Sequence, residues 1–147
     1  AITINSTLRI NKLKEAAGYS EYSCSGTPVD CVKIAVNKLL PRKPDLCVSG
    51  VNHGSNSSIN VIYSGTMSAA VEGCIESIPS IGFSLMDFAF DADFGPCSEF
   101  VDYIIDSVLK NGIKNGIDLN EGLKNTKNVN LNGKCIEIII NKYGVTR

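Results

Sequence analysis

The segment Asp45-Leu46-Cys47-Val48-Ser49 is short, nearly continuously apolar, and flanked on both sides by stretches of helical periodicity. Runs of this kind form the strands of parallel sheets whose two faces are both covered. Upstream, Gly26-Thr27-Pro28-Val29-Asp30 collects the signals of a helix start. Thr27 can cap the helix, Pro28 at the first position gives up no needed N–H, and Asp30 lies near the positive end of the dipole. Val32, Ala35, Val36, Leu39 and Leu40 then form one apolar face, and Pro41 and Pro44 end the helix. Downstream, Met67, Ala70, Val71, Cys74 and Ile75 give a second helix from Gly65, closed by Pro79.

The same alternation continues. Ile81 to Leu85 reads as a strand, and Phe100, Val101, Ile104, Ile105, Val108 and Leu109 as a third helix ending near Gly112. Cys135 to Ile140 reads as a final strand, an edge or an extension of the sheet. Before the first helix, Ile2 to Ile10 alternates loosely and predicts one or two short strands. Lys12 to Ser20 predicts a loop or hairpin tip, and Glu21 to Ser25 another strand. The order predicts an α/β fold with a Rossmann-like, mostly parallel sheet, flanking helices and a C-terminal β extension. The 147 residues suit one domain, 1–147.

Composition narrows the function. Fourteen Lys and Arg against fifteen Asp and Glu leave a net charge of -1, which offers no basic surface for a nucleic-acid polymer. No apolar run approaches the roughly 18–20 residues of a membrane span. The chain starts at Ala1 within a β-like run, without the features of a signal peptide, and reads as one entered partway. The six cysteines are widely spaced and contain no CxxC pair, which favours reduced thiols in a cytoplasmic protein.

Ligands of open α/β sheets bind beyond the carboxyl ends of the strands. The strand at 45–49 runs into Gly50–Ser64, a loop rich in Gly, Ser and Asn. Asn52 and Asn56 offer amide oxygens suited to a hard cation such as Mg²⁺ or Mn²⁺. Gly50 and Gly54 let backbone N–H groups approach an anion. A polar turn with local Asx hydrogen bonds explains the same residues. Ser64, Gly65 and Thr66 stand at a helix N-terminus, a natural seat for phosphate or an ordinary cap. His53, the only histidine, can orient a phosphate, serve as acid or base, or face solvent. Asp87, Asp91 and Asp93 lack EF-hand spacing and read as a solvated loop.

Three blocks resemble the survival protein E (SurE) nucleotidase family. These are Gly26-Thr27-Pro28-Val29-Asp30-Cys31-Val32, Lys43-Pro44-Asp45-Leu46-Cys47-Val48-Ser49-Gly50-Val51-Asn52-His53-Gly54-Ser55-Asn56, and Tyr63-Ser64-Gly65-Thr66-Met67-Ser68-Ala69-Ala70-Val71-Glu72-Gly73. The resemblance is close over residues 1–95 and looser beyond. It implies a phosphatase, dependent on Mg²⁺ or Mn²⁺, for nucleoside 5′- and 3′-monophosphates, assembled as a homodimer or homotetramer. It maps the family's asparagine metal ligand onto Asn52 and its phosphate site onto Gly54, Asn56, Ser64, Gly65 and Thr66. The family's Asp-Asp pair falls before the segment matching Ala1. No catalytic carboxylate is therefore assigned, the N-terminal segment is expected to be missing, and this chain alone is expected to be inactive. The alternative is a non-catalytic, truncated nucleotide-binding or assembly subunit.

Overall fold

The computed structural model describes residues 2–54 and 63–113, and the backbone of residues 135–141 and 144–145. The elements are β1 (Ile10–Ala16), β2 (Tyr19–Cys24), α1 (Pro28–Ile34), β3 (Cys47–His53), α2 (Gly65–Ile75), β4 (Ser80–Leu85), α3 (Cys97–Asn111), β5 (Cys135–Asn141) and β6 (Gly144–Val145). α1 runs on into a wider, π-helical turn at Ala35–Leu39. The main sheet has the order β3-β4-β5-β6. Its first three strands are mutually parallel and β6 is antiparallel. The expected α/β architecture with a mostly parallel sheet is therefore present. Cys135–Asn141 lies inside the sheet, between β4 and β6, rather than at its edge.

β4 explains how two helical layers fit against one sheet. All six of its residues are buried. Ile81, Phe83 and Leu85 face α3 and form the main core with Cys97, Ile104 and Val108. The alternate residues Ser80, Gly82 and Ser84 are small. α2 settles on them: a Cβ on Gly82 would lie 2.6 Å from Met67 Sδ, and one on Gly73 would meet Ser80 Oγ and Cys47 Cβ. The strand thus alternates large and small, where a half-exposed strand would alternate apolar and polar. Met67 meets Gly82 while Gly73 meets Ser80, so α2 runs antiparallel to the strands. Its N-terminus therefore lies at their carboxyl ends.

The first forty residues correct one expectation. The strand begins at Ile10, not Ile2, and occupies most of the stretch predicted as a loop. β1 and β2 form an antiparallel hairpin turning at Gly18, whose φ is +75°. Every residue of β1 is exposed, so no burial imposes an apolar alternation on it. The pattern that marks a strand has no physical cause here, and the turn sets the register instead.

Asp30 ties this region to α1. Thr27 Oγ1 accepts from Asp30 N, while the Asp30 carboxylate accepts from Thr27 N at 2.8 Å, a reciprocal capping box. The same carboxylate accepts from Thr3 Oγ1 at 2.6 Å and from Thr3 N, across 27 residues of sequence. These donors, led by the Thr3 hydroxyl, hold Asp30 well below the usual carboxylate range. A carboxyl depressed on folding stabilises the fold above its unfolded value of about 3.9. That stabilisation fades as pH falls from there through the folded value. Asp30→Asn is therefore expected to lower the urea midpoint at pH 7 and to flatten its decline between pH 5 and 2. An unchanged midpoint and slope would show that Thr3 and Thr27 are held without the carboxylate.

Candidate functional site

The pairing of β3 with β4 contains a one-residue shift. Ser49 pairs with Gly82, but Asn52 pairs with Ser84, so three steps on β3 match two on β4. Had the register continued, Asn52 would lie opposite Leu85 and share its face with α3. The extra residue moves it opposite Ser84, onto the face covered by α2. Gly50 makes the bulge possible. Its φ is +109°, and a Cβ there would collide with the carbonyl oxygen of Phe83.

Strand β3 therefore reaches His53, four residues beyond the predicted Ser49 and into the expected loop. The sequence shows four apolar-to-small residues after Asp45 and then Gly-Val-Asn. It does not show that a bulge carries the ladder past the glycine. Asn52 is half-buried, and its Nδ2 donates to His53 O at 2.9 Å. The oxygen of the amide is its acceptor end.

Across the same face stands the start of α2. Ser64 is buried, with Oγ accepting from Met67 N at 3.1 Å, so it is the helix cap. Within an α-helix the N–H groups of Gly65 and Thr66 have no carbonyl four residues back, and the helix dipole is positive there. Gly65 is exposed and Thr66 half-buried. β3 and β4 therefore bring Asn52 and Ser84 to the end of the sheet beneath which the N-terminus of α2 lies. Ser84 was not singled out from the sequence. Its signal is the small-residue alternation of β4, visible only once α2 is known to pack there.

Gly54 is engaged at the strand end. Its N–H donates to Leu85 O at 2.7 Å and to Asp87 O at 3.2 Å, which occupies it within the protein. Its φ is +71°, and the Phe88 ring lies where a Cβ would stand, with Cδ1 at 2.8 Å. Gly54 serves to turn the chain at the strand end and to admit that ring.

His53 leaves the group. It pairs with Leu85, and its ring meets Phe94 edge-on with centroids 4.6 Å apart. Phe94 packs against the α3 core, so the histidine belongs to the opposite face. Asp87 Oδ1 accepts from Ala89 N at 2.9 Å and Asp93 Oδ1 from Gly95 N at 2.8 Å, the Asx turns of a solvated loop. Asn56 lies outside the described residues.

A divalent cation does not find a complete site here. Among the described residues, no three His, Cys, Asp or Glu side chains gather to hold one. Asn52 is a single neutral ligand, and hard divalent cations take several oxygens, carboxylates among them. The described residues fit the anion better than they fit the metal.

Fold and site together define an open α/β protein with an anion-compatible helix terminus at the carboxyl ends of parallel strands. The family described as "Survival protein SurE" matches residues 1–147, and the chain belongs to it. A protein of Flavobacterium psychrophilum named 5′-nucleotidase SurE is 60% identical over 134 residues, covering 90% of this chain and 52% of its own length. One of Flavobacterium johnsoniae with the same name is 65% identical over 121 residues, covering 82% and 47%. The crystal structure of SurE from Aquifex aeolicus superposes with a TM-score of 0.70 at 30% identity, covering 96% of this chain and 49% of its own. The chain spans about half the length of the curated relatives it matches.

Proposed function

We propose that this chain carries the phosphate seat of a nucleotidase that hydrolyses nucleoside 5′-monophosphates, and 3′-monophosphates more broadly, to nucleoside and phosphate. The observation that carries the reading is the bulge in β3, which turns Asn52 toward the face where α2 begins. The names of the relatives support the reaction class. In this reading Gly65 and Thr66 bind the phosphate through backbone N–H groups, with the Thr66 hydroxyl as a further donor. Ser64 fixes that turn as its cap, and its hydroxyl proton can reach an oxygen of the phosphate. Asn56, which the family resemblance assigns to the phosphate, belongs to the same proposal.

The divalent ion, Mg²⁺ or Mn²⁺, supplies Lewis-acid chemistry when bound. Asn52 would give it one oxygen, and the carboxylates it needs are not among the described residues. Assembly as a homodimer or homotetramer belongs to the same proposal, as does a cytoplasmic location. The latter is supported by five described cysteines that are free thiols. No helix among the described residues is long and apolar enough to cross a membrane.

The test is phosphate release from a set of nucleoside monophosphates by the intact protein, with Mn²⁺ and with EDTA. Release that EDTA abolishes is the expected result. No release with Mn²⁺ present would overturn the reading and leave a nucleotide-binding or assembly subunit. One observation favours that second reading: among the described residues β3 pairs on one side only, with β4, and an open strand edge invites another strand.

A further inference from the structure

Just beyond β4, the loop at Met86–Phe94 exposes large apolar groups beside the candidate site. Phe88 is 78% exposed and Phe90 fully so. Solvent-facing phenylalanines are ordinary singly, but Phe88 is held in place. One edge of its ring lies against the Cα of Gly54, two residues from Asn52, and the rest faces solvent. Gly54 N–H binds the carbonyls of Leu85 and Asp87, and the Asp87 carboxylate binds Ala89 N. Hydrogen bonds on both sides of residue 88 thus fix it to the strand end. The loop presents a seated aromatic surface at the carboxyl end of β4, the end of the sheet where α2 begins.

We propose that Phe88 is the stacking platform for the nucleobase, and so a specificity-determining residue of the site; this rests on the nucleotidase reading above. A ligand that joins an anion to a flat heteroaromatic ring is what such a pair of surfaces recognises. Its phosphate lies at the start of α2 while its base covers the exposed part of the Phe88 ring. Stacking on a phenylalanine involves no hydrogen-bond readout, and every base has a π-face. The platform therefore separates nucleotides from sugar phosphates while distinguishing poorly between bases. Phe90, two residues on, lacks the seating against the strand end and is not part of the platform.

The experiment compares kcat/KM of the intact protein for AMP and for ribose 5-phosphate, which keeps the phosphate and sugar but has no base. In Phe88→Ala the ratio of the two values is expected to fall roughly 5- to 100-fold, the range of one lost base–aromatic stack. Phe88→Tyr, which keeps the π-face, is expected to restore the ratio, and Phe90→Ala to leave it unmoved. A ratio unchanged in Phe88→Ala, even with both rates reduced, would overturn the proposal by showing that the ring only packs against Gly54. Calorimetric titration with adenosine, which lacks phosphate, separates the two readings should wild-type protein release no phosphate. Adenosine binding that Phe88→Ala abolishes would sustain the platform while the nucleotidase reading falls. Absence of adenosine binding to wild type would sink the platform too.

Discussion

Gly50→Ala is expected to lower the stability of the chain by about 3 kcal/mol or more, the cost of backbone strain and collision combined. Two effects coincide at this residue. The φ of +109° is one that side chains rarely adopt, and an added Cβ would meet the main-chain oxygen of Phe83. A flexible side chain could move aside, but this oxygen belongs to the buried strand β4. Gly18→Ala is the control. Its φ of +75° is also in the left-handed region, yet nothing lies within 4 Å of the added atom, so strain alone costs about 1 kcal/mol. Urea midpoints of the two variants measure the difference. Equal losses would mean that the contact between β3 and β4 at Gly50 does not restrict the chain.

Asn52→Ala is expected to act on function in the opposite proportion. The residue is half-buried at the end of β3, and its Nδ2 hydrogen bond goes to a neighbouring carbonyl rather than into the core. Stability should change by less than about 1 kcal/mol. Phosphate release by the intact protein should drop by about 100-fold or more, and the Mn²⁺ concentration for half-maximal rate should rise, as loss of a ligand or its support does. A variant of normal rate and metal demand would remove Asn52 from the site. A variant that unfolds would show the amide to be structural.

Much of the architecture could be read from residue patterns because burial wrote it there. α2 and α3 announce themselves through apolar spacing, and Thr27, Pro28 and Asp30 form the predicted start of α1. The hairpin could not be read in the same way, because β1 contacts little besides β2 and solvent. Nor could the reach of β3. A glycine and an asparagine after an apolar run are turn residues on any local scale. Only the partner strand reveals that they continue a ladder. The site divides along the same line. Ser64, Gly65 and Thr66 sit where the helix-start signal put them. Gly54 keeps its place but uses its N–H internally, and His53 is carried to the other face by the alternation that the bulge resets. Long-range register decided each of these outcomes.

The bulge in β3 also changes what sequence variation can do to this protein. Up to Ser49 each side chain's direction is set by the core, and from Asn52 it is set by the extra residue. Removing one residue between them would place the asparagine two steps after Ser49, still opposite Ser84 in an unbroken ladder, and the histidine still opposite Leu85, so both would keep their faces. Closing the bulge with every residue retained would instead carry the amide into the layer of α3 and the imidazole toward that of α2. Over these few positions the register of pairing, and not the number of residues, is therefore the constrained quantity. A deletion that straightens the strand's end leaves its two faces as they stand, whereas a slip without deletion exchanges them.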